Sequence, residues 1–263
     1  MTAVGGKSPP LPDFFRLVAL DETGSTNDDA AAAARGGAPE GTLIWARRQT
    51  RGRGRRGRVW ASPEGNLHLS VVLHPDVPPM RAGEIAFVTA LATADACARL
   101  APAADVRCKW PNDILVAGRK VGGLLIESSI AANRVEWLVV GIGLNLAAHP
   151  DNVEFPATHL ALHAGRAVAV EEGLALLAET FAVRYRIWRD QGFAPVLTAW
   201  LDRAAGLGGL VRVRLENSEL MGTFDGIAVD GALALTLADG TTRRITAGDV
   251  FLPESVSSGA SSG

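Results

Sequence analysis

The run Gly52-Arg53-Gly54-Arg55-Arg56-Gly57-Arg58 alternates residues that free the backbone with residues that carry a planar cation. Backbone amides and bidentate guanidinium forks can then converge on one phosphate or carboxylate from several sides. Taken alone, the same run is also what an arginine-rich RNA-binding loop looks like. It is not a Walker A loop or a dinucleotide fingerprint, because no Gly-Lys-Ser/Thr closes it and no helical pattern follows directly. A second cluster, Lys109-Trp110-Pro111-Asn112-Asp113, puts a cation, a rigid turn former, an amide and a carboxylate within five residues. That is enough to orient a nucleotide and to hold a magnesium ion through Asp113, or to make an ordinary turn. Gly118-Arg119-Lys120-Val121-Gly122-Gly123 and Gly141-Ile142-Gly143-Leu144-Asn145 allow tight turns from which Lys120 and Asn145 project, and each is equally readable as a plain hairpin.

Charge is concentrated around the first of these runs. Seven arginines fall between Arg47 and Arg58 with no acid among them, which leaves 19 basic against 28 acidic residues elsewhere, a formal −9. An acidic body with one concentrated basic segment fits a local site for a small anion better than a broad nucleic-acid face. With 263 residues, 48% hydrophobic and 21% charged, the chain can bury a sizeable core, and no apolar run reaches the roughly 18 residues of a spanning helix. The first twelve residues hold no apolar signal core, and Cys97 and Cys108 are too few for a disulfide framework, so the expected compartment is the cytoplasm.

Mixed elements must position these groups. Ser25 or Thr26 can cap a helix that runs through Ala30–Ala34 to the stop at Gly36-Gly37, and Thr42–Trp45 and Asn66–Leu73 have strand character on either side of the basic run. The spacing of Ile85, Val88, Leu91 and Ala92 predicts a helix over Arg81–Leu100. Ile114–Val116, Val121–Ile126 and Val135–Leu146 read as strands, and Glu171–Trp188 and Phe193–Ala204 as helices. After Gly206 the composition shifts to short alternating runs, Val211–Leu215, Leu220–Phe224, Ala232–Leu237 and Thr241–Ile245, which predict a small antiparallel barrel or sandwich. Ser255–Gly263 reads as a disordered tail.

In this order and spacing the motifs resemble the biotin protein ligase family, from about residue 14 to 252, including Gly24-Ser25-Thr26-Asn27, Gln49, the arginine-glycine run through Trp60, and the segments ending at Asp113, Glu127 and Asn145. The resemblance implies an α/β catalytic domain over 1–206, a mixed sheet with flanking helices, followed by a small SH3-like C-terminal β-barrel over 207–254. It implies activation of biotin by ATP to biotinyl-5′-adenylate, with magnesium, and transfer to a lysine of a biotin carboxyl carrier domain. Ser25, Thr26, Asn27, Gln49, Gly123 and Leu125 would bind biotin. Arg53, Gly54 and Arg55 would cover its carboxylate and the phosphates, Lys120 would meet the reacting carboxyl, and Arg58, Trp60, Lys109, Asn112 and Asn145 would serve the nucleotide. Arg55, Lys120 and Lys109 would be the catalytic groups. Arg51 stands where the family more often has a small residue, which bears on how the loop packs.

Three other readings compete. Lipoate ligases and octanoyltransferases have a related fold, and an octanoyltransferase would use a thiol such as Cys108 as acyl acceptor. Relatives that double as repressors carry a DNA-binding domain, whereas only 24 residues precede Ser25, so the expectation is a monofunctional ligase without specific DNA binding. His159 and His163 stand four apart but lack the third ligand of a zinc site, and His68 reads as a cleft wall or core residue. The resemblance brings a homodimer through sheet edges as a further expectation.

Overall fold

A computed structural model describes residues 9–151 and 153–253. The tail expected at Ser255–Gly263 lies outside them. A seven-stranded mixed sheet runs in the order β1-β2-β3-β7-β6-β5-β4. Its strands are β1 Arg16–Thr23, β2 Thr42–Gln49, β3 Leu67–Leu73, β4 Val106–Lys109, β5 Asp113–Val116, β6 Arg119–Ala131 and β7 Arg134–Leu144. Only β1 and β2 pair in parallel, and the helix α1, Thr26–Arg35, is the crossover between them. A second, five-stranded antiparallel sheet has β8 Leu210–Arg214, β9 Glu219–Ile227, β10 Leu233–Leu237, β11 Thr242–Ile245 and β12 Asp249–Phe251, in the order β11-β10-β9-β8-β12. The architecture is the expected mixed sheet with flanking helices plus a small C-terminal β unit of SH3-like kind.

The alternation of strand side chains decides what each face of the large sheet does. On β3, Leu67, Leu69, Val71 and Leu73 enter one large core, joined by Leu138, Val140, Ile142 and Leu144 of β7. Helices α2 (Glu84–Leu100) and α4 (Val170–Gln191) close this core, with α5 (Phe193–Leu201) against them. On the other face, Val72 and Val139 join Leu20, Ile44 and Ala46 beneath Ala30 and Ala34 of α1. That second cluster is small, so His68 and Ser70 of β3 and Gly141 and Gly143 of β7 occupy a face that no long helix covers.

Several elements depart from the sequence reading. β1 holds the apolar run Leu17–Leu20, yet half of its residues are solvent-facing, and the sequence reading assigns no strand there. β2 continues past Trp45 to Gln49, so Arg47 and Arg48 are strand residues paired with Asp21, Glu171 and Glu22 and do not belong to the basic loop. β12 is only three residues long and reads as nothing by periodicity. The first turn expected at Arg81 is a separate 3₁₀ turn over Pro79–Arg81, and Arg81 pairs with Glu84 at the start of α2. Among the described residues no helix is long and apolar enough to cross a membrane.

Phe181 carries much of the α4 contribution to the core. It is 1% exposed and packs on Phe15 and Tyr185, with ring centroids 6.2 and 5.8 Å away. Phe181→Ala is expected to lower stability by about 3–5 kcal/mol, the cost of a buried aromatic and its cavity. A shift of the denaturant midpoint without change in its slope checks this, whereas a difference below about 1 kcal/mol would mean that the site collapses around the deletion.

Candidate active site

The uncovered face of the sheet is a cleft of about 310 Å³, floored by β6 and β7 and walled by the start of α1, the basic loop, and residues of β12. All the residues singled out from the sequence as binding or catalytic candidates line it: Ser25, Thr26, Asn27, Gln49, Arg53, Gly54, Arg55, Arg58, Trp60, Lys109, Asn112, Asp113, Lys120, Gly123, Leu125 and Asn145.

Glycine in the floor is a steric necessity. A Cβ on Gly141 would come within 2.0 Å of Asn27 Oδ1, and one on Gly143 within 2.4 Å of the Trp60 ring. Gly123, opposite Gly143 on β6, would meet the same indole at 2.9 Å. The strands thus leave room for a side chain from α1 and another from the loop to lie on the sheet. The indole Nε1 of Trp60 is buried with no hydrogen-bond partner among the described residues.

The end formed by α1 is built from amides and hydroxyls. Ser25 is the N-cap of α1, yet its side chain makes no capping bond. Gln49 Oε1 does that work, accepting from the Thr26 backbone N–H at 2.8 Å and from its hydroxyl at 3.1 Å. Asn27 is held from two sides: its Oδ1 accepts from Ser70 Oγ at 2.6 Å and its Nδ2 donates to Glu127 at 2.7 Å. Ser70 has no motif around it, and Glu127 only closes one, so the contact with Asn27 is marked in both by their place on the strand face.

At the other end the buried Lys109 and Asp113 form an ionic triad with the half-buried Lys120. Asp113 Oδ2 lies 2.9 Å from Lys109 Nζ, and its Oδ1 lies 2.5 Å from Lys120 Nζ, a close ion pair not aligned as a hydrogen bond. Burial raises the Asp113 pKa, but the two ammonium groups outweigh it and hold the carboxyl below its ordinary value. The Lys109 ammonium also sits 3.8 Å from the ring centre of Phe155 and donates to the Val250 carbonyl at 3.2 Å. Asp113 does not fit the role of magnesium ligand read from the sequence: both its oxygens already face cations. Among the described residues no group of three or more His, Cys, Asp and Glu is placed to hold a metal.

The basic run is a small hairpin. Arg53 bridges to Val59, Gly54 N–H donates to Arg58 O at 2.7 Å, and Arg56 takes φ +55° in the turn. Its guanidinium groups have acidic partners at both ends. Arg53 pairs with Asp28 of α1 at 2.6 Å, while Arg56 and Arg58 reach Asp249 of β12, a residue also held by Arg214 at 3.2 Å. Among the described residues Arg55 pairs with no carboxylate; it reaches Asn112 Oδ1 at 3.3 Å, and burial lowers its pKa. Arg51 stays outside the hairpin, with its guanidinium 2.9 Å from where a Cβ on Gly24 would stand. Asp249 was missed in the sequence because an isolated acid in a short strand carries no signal.

The remaining candidates fall elsewhere. Cys108 is fully buried in the core and burial pushes its thiol up to about 12, which leaves no thiolate for acyl transfer. His159 precedes the short helix α3, Leu160–Ala164, and meets His149 Nδ1 at 2.7 Å, while His163 meets the Thr158 hydroxyl. His68 is buried at 1% exposure, and burial lowers its pKa to about 4, so it is neutral at physiological pH.

The sequence profile of the Biotin/lipoate A/B protein ligase family matches residues 25–145, and that of the Biotin protein ligase C terminal domain matches residues 206–252. The chain is 44% identical to the biotin–[acetyl-CoA-carboxylase] ligase of Paracoccus denitrificans over 82% of this chain and 92% of that one. With the Mycobacterium tuberculosis enzyme of the same name it shares 37% identity over 89% of this chain and 88% of that one. Its structure is similar to that of a biotin protein ligase from Aquifex aeolicus in complex with biotin and ATP, with a TM-score of 0.75 and 25% identity, covering 90% of this chain and 97% of that one.

The ionic triad makes a prediction that depends on pH. Asp113→Asn leaves two ammonium groups facing each other without a counter-ion and is expected to cost about 3–5 kcal/mol. Because the folded carboxyl titrates below its ordinary value of 3.8, its stabilisation is present above that pH and is lost only as pH falls through the lower, folded value. The gap between wild type and variant should therefore stay constant from neutral pH down to the ordinary carboxylate range and narrow only below it. Urea titrations over that range check this, and a gap that already closes near neutral pH would contradict the ion-pair account.

Proposed function

The chain belongs to the biotin protein ligase family, and from that premise we infer that it is an ATP-dependent ligase that activates biotin as biotinyl-5′-adenylate and transfers it to a specific lysine of a biotin carboxyl carrier protein. The observation that carries the reading is the convergence of Arg53, Arg55, Arg58, Lys109 and Lys120 on one cleft whose far end is lined with uncharged polar groups. Such a cleft suits a ligand with a neutral polar head, an apolar middle and an anionic end.

The first step joins two anions. A biotin carboxylate oxygen attacks the α-phosphorus of ATP, the bond to the β-phosphate bridging oxygen breaks, and pyrophosphate leaves. In the second step the carrier amine attacks the acyl carbon of the mixed anhydride, AMP leaves, and the amine loses a proton. Fixed cations are the source of acceleration that such a reaction needs, because they neutralise charge on the approaching groups without reorganising. Magnesium would come with ATP and neutralise charge on its phosphates, which fits a cleft in which Asp113 is already engaged by two cations.

We propose for the individual residues the roles that the family resemblance implies, which their place in one cleft supports. Ser25, Thr26, Asn27 and Gln49 take the polar ring of biotin, with Gly123 and Leu125 along its side. Arg53, Gly54 and Arg55 cover the carboxylate and phosphates, and Lys120 meets the reacting carboxyl. Trp60 stacks on adenine, while Arg58, Lys109, Asn112 and Asn145 serve the nucleotide side. The catalytic groups are Arg55, Lys120 and Lys109. We divide the chain into a catalytic domain, 1–206, and a C-terminal domain, 207–254, a boundary supported by the start of the second sheet at Leu210.

The enzyme acts in the cytoplasm, on its carrier rather than on specific DNA, and assembles as a homodimer. Of the two outer strands, β4 is covered on its free side by backbone bonds between Cys108 and residues Arg203 and Ala205. The other, β1, pairs among the described residues only with β2. It is the edge through which a second copy can add.

Pyrophosphate release measured with ATP, magnesium and biotin, lipoate or octanoate in turn, followed by addition of a carrier domain, tests the activity. Biotin-dependent release with labelling of one carrier lysine is expected, and release with lipoate instead would move the enzyme to the sister chemistry. Arg55→Gly removes the loop cation that reaches across the cleft to Asn112, so the adenylate should dissociate at least about tenfold faster and label bystander lysines. A variant that retains the intermediate as wild type does would remove Arg55 from its assigned role.

A further inference from the structure

Asn66 is absent from every motif above, stands at the residue before β3, and is 1% exposed. Its Oδ1 accepts three successive backbone N–H groups, from Leu146 at 3.0 Å, Ala147 at 3.0 Å and Ala148 at 3.1 Å. Three amides turned toward one point form a concavity of the kind that takes an anion, and here an amide oxygen fills it. The Nδ2 donates in the opposite sense, to Ala148 O at 2.8 Å and, at a longer 3.4 Å, to Asn145 Oδ1. An asparagine is the residue that supplies both an acceptor and donors on one short stem.

The consequence lies at Asn145. Its Oδ1 faces the Asn66 donor and its Nδ2 donates to Thr158 O at 3.1 Å, so the amide cannot flip without losing both contacts. Thr158 in turn donates its N–H to Lys120 O at 2.8 Å, while Asn145 N–H bonds Val121 O at 2.8 Å. The chain between them returns along the cleft through Pro150, Glu154, Phe155 and Ala157. One buried side chain therefore fixes both the orientation of Asn145 and the base of the segment that walls the cleft beside it.

We propose that Asn66 is a positioning residue for the nucleotide side: it locks the Asn145 amide and the 146–148 turn so that one N–H of Asn145 stays aimed into the cleft. The inference rests on the assignment of Asn145 to the nucleotide. The polar biotin end hangs on Thr26, Asn27, Gln49 and Ser70, none of which Asn66 touches, so the two substrates should respond differently.

Asn66→Asp keeps the acceptor for the three amides but removes the donor, setting a carboxylate oxygen against the Ala148 carbonyl and Asn145 Oδ1. The KM for ATP is expected to rise about tenfold, with biotin binding measured without ATP unchanged within about twofold. Asn66→Ala, which removes acceptor and donor without adding charge, should shift in the same direction. Asn145→Ala separates the inference from the reading beneath it. If that variant raises the KM for ATP and folded Asn66 variants do not, the positioning role fails and the nucleotide assignment stands; if Asn145→Ala leaves the KM for ATP unchanged, the assignment itself fails. Asn66→Asp combined with Asn145→Ala should be no worse than Asn145→Ala alone. Equal losses for biotin and ATP in a folded variant would mean a merely structural role and overturn the proposal. In the wild type, amide exchange at Leu146–Ala148 should slow on adding a non-hydrolysable ATP analogue and not on adding biotin, and identical responses would overturn it without any variant.

Discussion

The two faces of β3 and β7 cannot do the same work, and the site depends on how they differ. A strand sends successive side chains to opposite sides, so a pair of strands that gives Leu67, Leu69, Ile142 and Leu144 to the core must give whatever lies between them to the other face. Here those intervening residues are His68, Ser70, Gly141 and Gly143. The glycines lower the floor by a side chain's depth, and Asn27 and Trp60 occupy the room gained. A one-residue slip in the register of either strand would exchange the two sets and place leucine where the indole lies. The large core on one side is therefore what keeps the cleft open on the other.

Electrostatically the cleft is less basic than its sequence suggests. Arg47 and Arg48 are spent on the β1–β2 surface, Arg53 on Asp28, and Arg56 and Arg58 on Asp249. Lys109 and Lys120 share one carboxylate, so the triad carries a net single positive charge instead of two. Each cation is thereby held in place by an anion that an incoming phosphate or carboxylate can partly replace. For Arg47, Arg48 and Arg53, whose partners are largely exposed, the exchange is nearly neutral, since solvated ion pairs are worth little, whereas the partner of Arg56 and Arg58, Asp249, is buried. For the two lysines the exchange is not neutral, and there Asp113 fixes geometry while the spare charge faces the cleft.

How much of this was legible follows from what kind of signal each part leaves. The long strands and helices announce themselves by apolar periodicity, and the family motifs by glycine and charge at fixed spacing. β1 and β12 escape because one is half solvent-facing and the other three residues long, yet β12 supplies Asp249. Reading Asp113 as a metal ligand was reasonable from composition, since a carboxylate beside a nucleotide-binding turn often is one. Only the fold brings Lys120 from β6 against it. Likewise Ser25 looked like a cap until Gln49, 23 residues away from Thr26, was seen to make the capping bonds. Polar residues whose partners come from distant segments leave no local pattern, which is why Asn66 and Ser70 carry no signal in the sequence.

The same distance argument bears on why the small second sheet exists beside the cleft. Gly248, Asp249 and Val250 contact Arg55, Arg58 and Lys109, which lie about 140 to 190 residues earlier in the chain. The cations of the site thus come from one sheet and part of their holding framework from the other. Phe155, stacked on Phe251 at 4.8 Å and under the Lys109 ammonium, joins the two by a packed aromatic contact that salt does not screen. A loop tethered only to its own domain could order its arginines against Asp28 alone. Tethering its far end to β12 makes the hairpin span the cleft, so that Arg55, which among the described residues pairs with no carboxylate, is directed inward toward Asn112.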